Sequence, residues 1–120
     1  MRILLAAVAV ASGAYTSPQA DVHVRHGAIV DASVDCKLEH GVTVESLAFF
    51  RHIQPDARGH FSYHGPANYV HRTSGGYGSK QVKARIAGVL RPGHTVSGRV
   101  EGPGACSSVS FRAAYNARAH

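Results

Sequence analysis

From Lys80 to Ala113 apolar and polar residues alternate with little interruption, and this pattern narrows the folds open to the chain more than any other feature. Val82, Ala84, Ile86 and Gly88 alternate with Lys83, Arg85 and Ala87. A period of two places the two sets on opposite faces of a half-buried strand. Pro92-Gly93 ends the run. A second strand follows, with Val96, Gly98 and Val100 alternating with Ser97, Arg99 and Glu101; after Gly102-Pro103-Gly104-Ala105, a third carries Val109, Phe111 and Ala113 on one face. Matching apolar faces across the first hairpin requires paired residue numbers with an even sum, such as 184, at which Ile86 faces Gly98, Lys83 faces Glu101 and Arg85 faces Arg99; the second hairpin requires an odd sum, such as 207. Strict parity leaves Cys106 on the polar face unless Ser107-Ser108 forms a bulge.

The rest of the chain fits the same class. Beyond residue 20 there are twelve valines against three leucines, Leu38, Leu47 and Leu90, and twelve glycines. β-branched side chains favour strands, and glycine makes long helices costly. Asp21–Val24 and Val42–Phe50 read as strands. Gln54-Pro55-Asp56-Ala57-Arg58-Gly59 reads as a turn, with Pro fixing φ, Asp bonding its own backbone and Gly accepting a positive φ. It leads into a strand over 60–64, where Phe61 and Tyr63 share a face. Thr73-Ser74-Gly75-Gly76-Tyr77-Gly78-Ser79 reads as a flexible loop. Short strands at this spacing predict a small antiparallel β-sandwich with immunoglobulin-like topology open to it, and a small β-barrel as the alternative. The core Trp of immunoglobulin domains is absent, because the chain has no Trp.

The first twenty residues have the layout of a secretory signal peptide: Arg2, an apolar run from Ile3 to Ala11, then small and turn-forming residues to Ala20. Cleavage fits after Ala14 or after Ala20. The apolar run is about half of what a helix needs to cross a bilayer, so the expectation is a secreted or periplasmic protein and not a transmembrane one. Residues 21–120 then form a single β-rich domain. Its two cysteines, Cys36 and Cys106, pair most simply with each other in an oxidising compartment.

The turn before Phe61, the segments Lys83-Ala-Arg-Ile-Ala-Gly88 and Val96-Ser-Gly-Arg-Val100, and Cys106-Ser-Ser-Val-Ser-Phe-Arg-Ala113 resemble uncharacterised exported small β domains of high-GC bacteria. The resemblance covers about residues 36–114. Its motifs are structural, so it implies the fold and export and no activity.

Nine histidines, at 23, 26, 40, 52, 60, 64, 71, 94 and 120, raise the possibility of a metal-binding protein or metalloenzyme. Their spacings argue against it: on a strand His60 and His64 lie roughly 13 Å apart, and His23 and His26 point to opposite faces. No metal or other cofactor is expected. No nucleophile elbow or pair of acids marks an enzyme. Setting Arg2 aside, basic side chains exceed acidic ones by five, and Lys83, Arg85, Arg99 and Arg112 share the polar face of the expected meander with several serines. That face suits an anionic cell-wall polymer, a membrane surface or a glycan. Nucleic acid is not an expected partner, since no recognition motif is present. Tyr69, His71 and Tyr77, around the glycine-rich segment, form a second candidate as an aromatic binding loop. The function expected is thus a non-enzymatic binding or structural module.

Overall fold

The computed structural model describes residues 10–118. Eight antiparallel strands follow one another around a closed barrel in chain order: β1 (Gly13–Thr16), β2 (Ala20–Arg25), β3 (Ala28–Glu39), β4 (Val42–Phe49), β5 (His60–Thr73), β6 (Gly76–Arg91), β7 (Thr95–Glu101) and β8 (Val109–Tyr115). The all-β, antiparallel, disulfide-bonded class read from the sequence holds. Of the two architectures considered, the sheet takes the barrel: β1 pairs with β8 and closes it, so the first and last strands are not left as the edges that two stacked sheets would keep.

The C-terminal meander forms with the expected parity, but its register is shifted by two residues. Ile86 faces Val100, Arg85 faces Glu101, and Lys83 lies beyond the end of β7. The turn sets this register. Arg91 pairs with Thr95 across Pro92-Gly93-His94, and His94 adopts φ 59°, the left-handed conformation that a three-residue hairpin loop needs at its last position. In the second hairpin Val96 faces Ala113 and Gly98 faces Phe111. Between β7 and β8 a short 3-10 turn, Gly104–Cys106, takes Cys106 out of the strand pattern. The bulge invoked to rescue its parity is therefore unnecessary.

An inward row crosses four strands as Phe61, Gly88, Gly98 and Phe111. A Cβ on Gly88 would lie 2.9 Å from Phe61 Cζ and 2.8 Å from Gly98 Cα. The missing Cβ of Gly88 thus leaves space for the Phe61 ring and for the close approach of the Gly98 backbone. Around this row Ile86, Leu90, Val96, Val100, Val22, Val34, Leu47 and Phe49 are almost fully buried. Cys36 on β3 bonds Cys106, with Cα atoms 5.0 Å apart and a sequence separation of 70. This ties the 3-10 turn to the wall of the barrel.

Two expectations on local structure are corrected. The segment 73–79 is not a loop: β5 and β6 form one long hairpin, with Thr73 paired to Gly76 across Ser74-Gly75. The barrel also begins before Asp21. Gly13–Thr16 pairs with β2 through four residues and with β8 through two, and Tyr15 is wholly buried. The leader expected over 1–20 falls in part on residues 1–9, which lie outside the described residues.

Candidate functional site

The four basic residues singled out from the sequence all project, exposed, from the outer face of β6, β7 and β8. The register shift changes their relationship. Arg85 faces Glu101 and His64, whereas Arg99 faces Ala87 and Ser110, so the direct opposition of Arg85 and Arg99 does not occur. Instead, Lys83 lies two residues from Arg85 on β6, Arg99 is the diagonal neighbour of Arg85 on β7, and Arg112 is the diagonal neighbour of Arg99 on β8. Two residues along a strand span roughly 7 Å, and a diagonal step between strands is about 7–8 Å. The four cations therefore form one oblique row of near-constant step.

Serine hydroxyls flank this row. Arg99 Nη1 donates to Ser108 Oγ at 3.0 Å, Ser110 faces Arg99, and Ser97 faces Arg112. A shallow, mostly apolar depression of about 690 Å³ over Gly88, Gly98, Phe61 and Phe111 is bordered by Arg99, Arg112 and Ser110. Glu101 beside Arg85 is the one acid on these strands, and among the described residues no ion pair joins it to any cation. The sequence holds a further signal that residue-by-residue reading passes over. All seven acidic residues are Asp21, Asp31, Asp35, Glu39, Glu45, Asp56 and Glu101, so residues 57–100 carry none, while holding seven Lys or Arg and four His. Acids gather on the first half of the barrel and cations on the second.

The aromatic candidates separate. Tyr69 and His71 both lie on β5, stacked with ring centroids 5.3 Å apart. Tyr77, opposite Arg72 on the other face of the hairpin, donates its hydroxyl to the Thr43 carbonyl at 2.9 Å and lies beneath the Arg72 guanidinium. What joins Tyr69 is Glu45, a residue that the sequence did not mark because it becomes a neighbour only through the pairing of β4 and β5. The Tyr69 hydroxyl donates to Glu45 Oε1, which also accepts from the Ala105 N–H at 3.0 Å. Lys37, Glu45 and His71 form a cross-strand row, and with Glu39, Tyr69 and Arg72 they line a recess of about 280 Å³. His71 Nδ1 is buried there without a hydrogen-bond partner.

The charges of this cluster argue for a structural clamp. Hydrogen bonds from Tyr69 and Ala105 hold the Glu45 carboxyl below the usual carboxylate range. The same carboxylate pushes the Tyr69 hydroxyl up to about 12. The Tyr69 bond orients the carboxylate that also accepts from the Ala105 N–H, and so ties β4 and β5 to the turn that carries Cys106.

The histidines serve backbone geometry in several places. His26-Gly27 and His40-Gly41 are two-residue hairpin turns with all four φ values between 51° and 77°, the primed geometry that suits twisted strands. His is one of the few side chains enriched at such angles. With His94, three histidines are thus turn residues. Among the described residues, no three His, Cys, Asp or Glu side chains come together as metal ligands would. No protein-family model, curated protein or solved structure matches the chain.

Proposed function

We propose that this protein is a non-enzymatic binding module, exported to the cell exterior or periplasm, whose basic outer face holds an anionic polymer of a cell wall or surface. The observation that carries the proposal is the oblique row Lys83, Arg85, Arg99 and Arg112. A step of about 7–8 Å between cations suits a chain of regularly spaced anions, which can meet one cation after another as it crosses the strands. Flanking hydroxyls add hydrogen-bond donors for phosphate or sugar oxygens. The acid-free stretch 57–100 adds a long-range field of one sign over this half of the barrel. A rigid barrel presents the row without the entropy that ordering a loop would cost.

Wall teichoic acid or a polyphosphate of similar charge density is the test ligand. Binding should weaken steeply from low to physiological salt, where the screening length falls to about 8 Å. The R99Q/R112Q variant should lose at least tenfold in affinity with an unchanged thermal midpoint, because both side chains are exposed. No binding at low salt, or full binding by the variant, overturns the proposal.

A further inference from the structure

We infer that the free edge of β6, from Gly76 to Lys83, is a second binding site that takes an extended acidic peptide segment as an added strand. β6 is much longer than its neighbour: its last pairing with β7 joins Arg85 to Glu101. Gly76–Lys83 is paired to β5 on one side, and among the described residues no backbone hydrogen bond meets it on the other. Eight residues of strand present roughly 26 Å of unpaired backbone. Gly76, Tyr77, Ser79, Lys80, Gln81 and Lys83 are exposed along it. An edge of this length is a template for strand addition, in which main-chain bonds supply affinity and side chains supply selectivity.

Charge selects the occupant. By alternation Lys80 projects from one face of the edge and Lys83 and Arg85 from the other, and the whole β5–β6 hairpin contains no acid. Two copies of this chain pairing edge to edge would oppose lysine to lysine, which is destabilising. An extended segment with carboxylates on both faces meets cations on both. The lysines that protect the edge from its own kind therefore favour an acidic strand. This site shares Lys83 and Arg85 with the outer row but needs neither Arg99 nor Arg112.

The probe is an end-capped, dye-labelled ten-residue peptide of repeating Glu-Glu-Thr-Thr, which puts carboxylates on both faces of an extended strand, compared with the same peptide N-methylated on every backbone nitrogen. Both carry the same charge, and only the first can donate to a strand. Added to the full chain at low salt, the unmethylated peptide should bind at least tenfold more tightly. It should also slow amide exchange at alternate residues within Gly76–Lys83. The K80E/K83E variant should lose that peptide and gain a lysine-threonine counterpart, whereas R99Q/R112Q should keep the tenfold advantage of the unmethylated peptide. Equal binding by the two peptides, protection on β7 or β8 in place of β6, or no binding at low salt would each overturn the inference. None of those results bears on polymer binding by Arg99 and Arg112.

Discussion

Beginning the chain at Asp21, as cleavage after Ala20 would, removes β1 and should cost the barrel much of its stability. Tyr15 is wholly buried, against the edge of the Tyr115 ring, and deleting a large buried aromatic side chain costs about 3–5 kcal/mol. β1 also forms the seam. Its ladder to β2 and β8 and the bond from Asn116 N–H to the Ala14 carbonyl amount to several backbone hydrogen bonds, each contributing about 0.5–1.5 kcal/mol net. Together these losses approach the roughly 5–15 kcal/mol that stabilises a whole domain. The edges of β2 and β8 are uncovered as well, inviting self-association. Urea unfolding followed by far-ultraviolet circular dichroism, on chains beginning at Ser12, Tyr15 and Asp21, tests this. The Ser12 chain should unfold cooperatively, the Tyr15 chain at lower urea, and the Asp21 chain should lack a folded baseline or aggregate. An Asp21 chain that is monomeric with the midpoint of the Ser12 chain would refute the role given to β1.

Other expected outcomes follow from the same contacts. Replacing Cys36 and Cys106 by alanine should lower stability by about 4 kcal/mol in the chain-entropy model for a 70-residue loop, read from the denaturation midpoint. The Glu45–Tyr69 bond gives stability a flat range with two shoulders. Because the Glu45 carboxyl is depressed when folded, its contribution is present above the ordinary value of 4.5 and lost as pH falls through the folded one. Because the Tyr69 hydroxyl is raised, its contribution holds below 10 and is lost as pH rises through about 12. Y69F should flatten both shoulders in a series of thermal midpoints across pH and lower the neutral midpoint by the equivalent of about 1 kcal/mol. At His40, with φ 53°, glycine or asparagine should be tolerated or stabilising, whereas valine should cost about 1–2 kcal/mol because a β-branched side chain is strained there.

Much of the barrel could be read from period-two alternation, because along the barrel wall the strands bury one face and a single-residue slip would reverse it. Parity was therefore legible for β6, β7 and β8. The absolute register was not, since a shift of two preserves parity and the choice fell to the left-handed φ of His94. β1 was missed because Ala14 and Tyr15 follow an apolar run with the composition of a leader, and composition does not reveal that Tyr15 fills the core. β3 has a register irregularity on either side of Lys37, which breaks the alternation that would have marked it. The four cations of the outer row were legible as residues of one face, but their oblique line appeared only with the true register. Glu45 lies 24 residues from Tyr69 and carries no local signal at all.

In the proposed function an anionic polymer lies along Lys83, Arg85, Arg99 and Arg112. Titrating isotopically labelled protein with short polyphosphate and following backbone and arginine side-chain resonances tests it most directly. Shifts should begin at Arg99 and Arg112, extend along the row to Lys83, include Ser97, Ser108 and Ser110, and vanish together as salt is raised. Shifts of equal size at Arg25, Arg51 and Arg118, which lie outside the row, would contradict it.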